Sequence, residues 1–202
     1  MARRPKGYVG TNHETIGSDL LAVLQSLEHL VRKDDPKAQQ SLIVQQTLGR
    51  DQLERLARVD PNGWYPIAWL LELMDVLEGK LGRYGLLRMG RTLFKLSHQE
   101  RVLRSAGSAR DIVYGIDGMY HHANRGGAIG GWQVVSFGPN AAELEKTTPH
   151  HCWMEEGILS QALTAVGAPA VVSQKACFRD GADACRFVLT ATAAGRWSGA
   201  KT

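Results

Sequence analysis

Apolar residues recur along this chain with two periods, and the change from one to the other divides it. In 18–32, Leu20, Leu24, Leu27 and Val31 repeat at three and four, with Val23 and Leu30 beside them, which predicts an amphipathic helix. Ser18 or Asp19 stands where a cap belongs, and Asp34-Asp35-Pro36 stops the run. Leu42-Ile43-Val44 reads as a strand or a helix turn, and 51–59 as a short helix. Asp60-Pro61-Asn62-Gly63 is a turn. Behind Trp64-Tyr65, Pro66 opens a helix to about Leu81, whose wide apolar face holds Ile67, Leu70, Leu71, Met74 and Leu77. Another helix is predicted over 83–96. A further one follows the capping box at Ser108 to about Ala123, with Ile112, Val113, Ile116, Met119 and Tyr120 repeating at three and four.

After the glycine loop 126–131 the period drops to two. Residues 132–137 and 142–147 alternate as strands around Gly138-Pro139-Asn140. A helix over 153–166 follows, burying Leu159, Leu163 and Val166, and then strands over 170–177 and 184–190. Four antiparallel strands packed on a layer of helices make an α+β domain, with an extra N-terminal helix. The expected divisions are 1–40, a loose tail and the added helix; 41–192, the main domain; and 193–202, a small polar tail.

Composition changes little. At 202 residues, 44% hydrophobic and 22% charged, the chain is long enough for one real core. No apolar run suits a membrane span and no leader-like start is present, so a soluble, cytoplasmic protein is expected. A net charge of +4 does not by itself imply nucleic acid. The basic stretch 80–110 reads as a solvated face or as a docking surface for an acidic partner. It has no helix-turn-helix signature.

The chemistry lies near the C-terminal end. All three cysteines, Cys152, Cys177 and Cys185, fall within 150–189, with His150 and His151 before the first. Asp180-Gly181 puts Cys177 and Cys185 near facing ends of a hairpin. Three readings are open: a tetrahedral zinc site, buried apolar cysteines, or a Cys177–Cys185 disulfide. Gly126 to Gly131 is no dinucleotide fingerprint. No nucleophile elbow, phosphate loop, metalloprotease motif or Cys-x-x-Cys-His is present, and the adjacent Glu155 and Glu156 do not face each other on a helix.

The pattern Cys152-Trp153, one helix, Cys177, then Gly181-Ala182-Asp183-Ala184-Cys185 resembles the V4R (4-vinyl reductase) domain. That domain belongs to a superfamily of α+β ligand-binding domains with phenol-sensing activators, haem–nitric oxide sensors and a vesicle-tethering subunit. The resemblance is specific over 130–189, diffuse over 45–125 and fails before 40. It implies a structural zinc on Cys152, Cys177 and Cys185. The glutamate that completes the set in the phenol-sensing branch falls on Gln174, which leaves His150, His151 or Glu155, with His151 favoured, as the fourth ligand. Trp132 matches a ligand-holding tryptophan, and the implied pocket would be lined by Trp132, Trp64, Tyr120 and His122. The reading that results is a non-enzymatic small-molecule sensor or signalling adaptor. It would take an apolar or aromatic ligand, form a homodimer and signal to a separate protein, with no direct nucleic acid or membrane contact. The alternative is a structural protein–protein interaction module, a dimeric scaffold without ligand. An enzyme of pigment metabolism is a third class that no cofactor motif supports.

Overall fold

The computed structural model describes residues 3–31, 44, 46–192 and 197. Strand β1 (Glu14–Ile16) leads into α1 (Gly17–Val31), and α2 (Arg50–Leu56) and strand β2 (Trp64–Pro66) precede α3 (Ile67–Leu93). A π turn (Phe94–His98), α4 (Gln99–Leu103) and α5 (Ala109–Ala123) complete the helical layer. Strands β3 (Asn124–Arg125), β4 (Trp132–Phe137) and β5 (Ala141–Lys146) come next, then α6 (Cys152–Ala165), β6 (Ala170–Ala176) and β7 (Cys185–Ala191). The main sheet is antiparallel in the order β4-β5-β7-β6, so the expected α+β class holds.

Three features depart from the expectations. A small antiparallel sheet, ordered β2-β1-β3, gathers the start, middle and end of the helical half, where a loose tail and a helix opening were expected. The 60–63 turn, not a side chain, receives the start of α1: the N–H groups of Gly17 and Ser18 donate to the carbonyls of Gly63 and Pro61, both at 2.8 Å. Such carbonyls satisfy donors that every helix start leaves free. In the C-terminal tail, Trp197 is buried and stacks on Phe137 with centroids 5.5 Å apart. Half of the expected 41–48 segment, including Leu42 and Ile43, lies outside the described residues.

The helix expected to end at Leu81 and the one expected from Arg83 run on as α3, bent at Gly82, whose φ of +59° suits glycine. Helices α3 and α6 cross in close contact. A Cβ at Gly90 would stand 2.0 Å from the Met154 carbonyl oxygen, and one at Gly157 would stand 2.2 Å from that of Leu87. Leu20, Val23 and Leu27 of α1 are buried in the same core as Leu77, Leu86, Leu159 and Phe187. No helix among the described residues is long and apolar enough to cross a membrane.

Candidate functional site

The three cysteines meet. Cys152 opens α6, Cys177 follows β6, and Cys185 begins β7, paired in register with Lys146 of β5. The Cys152 sulfur lies 3.1 Å from that of Cys185 and 3.5 Å from that of Cys177, and 3.8 Å separates the other two. Backbone N–H groups of Phe178 and Arg179 donate to the sulfurs of Cys185 and Cys177, each at 3.4 Å. Lys146 is fully buried beside them. Its ammonium donates to the His150 carbonyl at 2.6 Å and stands 3.6 Å from the Cys152 sulfur. The Cys177 and Cys185 thiols, donating to the Cys152 sulfur, drive its pKa far below the usual thiol range, and the Lys146 charge adds to this. Those two thiols are pushed up in turn, chiefly by their bonds to Cys152. Burial opposes the charge on Lys146, but the combined pull of Cys152, Cys185, Glu155 and Cys177 outweighs it and its pKa rises. The Cys152 sulfur, the most readily ionised of the three, thus faces the Lys146 ammonium, whose burial is offset by this attraction and by its bond to the His150 carbonyl.

A second polar cluster lies between α1, α3, the π turn and α6. There a chamber of about 40 Å³ is lined by Asp19, His98, Tyr120, Asn124, His150 and Glu155 and walled by apolar groups including Met74, Trp132 and Met154. Burial pushes the Asp19 carboxyl up to about 7 and brings His98 down to about 4. His150 Nδ1 lies 3.2 Å from Glu155 Oε1, while its Nε2 is buried with no partner among the described residues. The Tyr120 hydroxyl donates to the Ile129 carbonyl at 2.6 Å, and Tyr8, His13 and Tyr120 form a chain leading outward. A groove of about 280 Å³, lined among others by Phe94, Arg101, Val102 and His122, adjoins the chamber. Ile116 and Met119 line both spaces and so form the wall between them.

The residues singled out from sequence are therefore divided. Cys152, Cys177 and Cys185 converge. His151 is turned away: its Nδ1 accepts from the Trp153 N–H at 3.3 Å, capping α6. Its Nε2 sits 3.1 Å from Glu78, off the line of a hydrogen bond, and Glu78 also pairs with Arg179. Trp132 and Tyr120 line the chamber, His122 lines the groove, and Trp64 lies elsewhere, under the Arg125 guanidinium at 4.3 Å. Lys146, Asp19 and His98 escaped sequence reasoning. For Lys146 the signal existed: in Ala142, Leu144 and Lys146 the alternation of β5 puts the lysine on the inward face.

No family model matches the chain, and no curated protein matches it. Solved structures do. An H-NOX protein from S. oneidensis in the Fe(II) ligation state, a triple mutant, is 17% identical, covers 91% of this chain and 100% of its own, and has a TM-score of 0.64. The same organism's H-NOX protein in the Fe(II)NO state is 17% identical over 88% of this chain and 99% of its own, at 0.62. Fe(II) unliganded H-NOX from K. algicida is 11% identical over 84% and 95%, at 0.58. These findings correct the expectation of a structural zinc cofactor. The chains of this shape are described in Fe(II) ligation states, which points away from zinc. The local chemistry agrees with that correction. The expected glutamate is the neutral Gln174, and His151 faces elsewhere. Nor does the described interior fit a haem. His98, His150 and Tyr120 could face an iron, but a chamber of about 40 Å³ is far below the roughly 300 Å³ at which ligand sites of this kind begin. What the likeness establishes is the fold, which is that of H-NOX domains.

Proposed function

We propose that this chain is a non-enzymatic small-molecule sensor or signalling adaptor of the V4R branch. Its ligand, with an apolar or aromatic body, would lie across the wall between groove and chamber. The carrying observation is that Ile116 and Met119 alone among the chamber and groove linings face both spaces. Movement of the flexible Met119 side chain would join a groove close to ligand size with a polar interior. The fold likeness to H-NOX sensor domains supports the same reading. Thermal melting in the presence of small aromatic probes tests it. The parent melts higher with at least one probe, and Met119→Trp, which fills the wall, removes the rise. A panel that leaves the parent unmoved would sink the reading.

The output would pass to a separate protein. The exposed face of α3 and the π turn, with Tyr84, Lys95 and Leu96 beside the half-buried Arg88, offers cationic and apolar contact for an acidic surface. Homodimerisation is part of the proposal, checked by sedimentation of the full chain. The rival reading, a scaffold without ligand, is favoured by the nearly filled interior. It gains if the melts are silent and the chain sediments as a dimer.

A further inference from the structure

The chamber gathers several buried acceptors whose hydrogen-bonding capacity is not filled. Asp19 comes from α1, Asn124 from the end of α5, and His150 and Glu155 from the start of α6. A carboxylate only accepts. The contact between His150 Nδ1 and Glu155 Oε1 therefore assigns the ring hydrogen to Nδ1, and in the uncharged ring Nε2 carries a lone pair. That Nε2 has no partner among the described residues, and His150 is 8% exposed. One N–H of the Asn124 amide donates to the Tyr120 carbonyl at 3.0 Å. Its Oδ1 accepts no well-formed hydrogen bond among the described residues, and the residue is 2% exposed. The Tyr120 hydroxyl hydrogen is committed to Ile129. Buried acceptors left without donors are costly, about 1–3 kcal/mol each, so this arrangement calls for a ligand rich in donors.

Charge narrows the class. The acids Asp19 and Glu155 face the chamber, Asp19 raised to about 7 by burial so that a cation beside it would draw off its proton, while Arg101, on the groove side, is the one cationic side chain among the described residues whose field reaches both Asp19 and His98. A single metal ion is a poor fit. Among the described residues only the three cysteines bring their ligand atoms within 4.8 Å of one another, so the chamber's carboxylates and imidazoles do not converge on one point. A molecular cation with several N–H groups can reach separate acceptors. An ammonium has three such groups and no acceptor. A volume of about 40 Å³ admits a head group of two or three heavy atoms, at about 10–15 Å³ for each water-sized occupant, and no ring.

We propose that the chamber receives the ammonium head of a small primary amine, with the apolar or aromatic remainder of the ligand passing Met119 into the groove. This rests on the sensor reading and names the chemistry of its ligand's head.

The test compares phenethylamine with its neutral isostere, phenethyl alcohol, by titration calorimetry on the full chain, with the Trp132 region followed by fluorescence. The amine binds about tenfold more tightly, the scale of one charge-assisted hydrogen bond, and in Asp19→Asn the gap between the two probes closes. If the alcohol binds and the amine gains nothing, the head-group assignment falls while the sensor reading stands. A gap that persists in Asp19→Asn places the amine elsewhere and also overturns the assignment. If neither probe binds, the sensor reading fails and takes this one with it. The comparison on the parent chain decides the matter even where the variant does not fold.

Discussion

Single residues carry the sharpest electrostatic consequences here. Lys146 is a fully buried ammonium whose partners are a carbonyl and the Cys152 sulfur. Removing one member of a buried pair leaves the other's desolvation unrecovered, typically about 3–5 kcal/mol. Lys146→Ala therefore lowers unfolding stability by about that amount in urea, and Lys146→Met, which keeps the alkyl volume, loses less. Equal, small losses would show that the ammonium is not paired. Asp19 makes a prediction of opposite character. Its carboxyl ionises near 3.8 in the ordinary case and near 7 here, with burial the cause and Arg101 opposing. Between those values the folded chain holds a proton the unfolded chain has lost, so the contribution of Asp19 to stability falls as pH rises through that window. His98 runs the other way: held near 4 against an ordinary 6.5, it costs stability as pH falls below 6.5. The melting temperature of Asp19→Asn relative to the parent should therefore climb between about pH 4 and pH 8. A difference independent of pH would refute the burial of that carboxyl. None of this was visible at Asp19 in the sequence, where an acid opening a helix reads as a cap. The turn at 60–63 takes over the capping, and that long-range contact leaves the carboxyl free to face inward.

At the scale of elements, the helices and the four strands of the main sheet were legible because each has its own hydrophobic period, and tertiary packing reinforces it. The ends and the short pieces were not. Strands β1, β2 and β3 are two or three residues long, too short to show alternation, and exist only through one another. The crossing of α3 and α6 was hidden for a different reason. Gly90 and Gly157 lie 67 positions apart, and each is read locally as a helix weakener; only their meeting explains them. At that crossing each glycine faces a carbonyl of the opposing helix, so an added methyl forces the helices apart. Gly157→Ala and Gly90→Ala each destabilise by about 1–3 kcal/mol, against the slight gain that alanine brings to an ordinary helix. Denaturant titration checks this. The double variant costs less than the sum, because the first methyl has already opened the interface.

For the whole molecule, what matters is how far the N-terminal segment belongs to the rest. The resemblance that organised the sequence reading fails before residue 40, which suggested an added piece. The packing suggests an integral one. β1 is the central strand of the small sheet, paired on one side with β2 and on the other with β3. Leu20, Val23 and Leu27 of α1 lie in the common core, and Asp19 and Val23 line the chamber. Farther back, Lys6 donates its backbone N–H to the Asp183 carbonyl at 3.1 Å, and Arg3 donates to that of Gly181 at 3.2 Å, so the segment straps the turn that holds two of the cysteines. Burying each of those large aliphatic side chains is worth about 1.5–3 kcal/mol, and the three together rival the whole stability of an ordinary domain. A chain begun at residue 41 would also leave β2 and β3 with no strand between them and open the chamber to water along the α1 side. That fragment should therefore lack a cooperative urea transition and bind none of the aromatic probes, while the full chain shows both. A cooperative transition in the fragment would instead make α1 an accessory, and the chamber would then need a different wall.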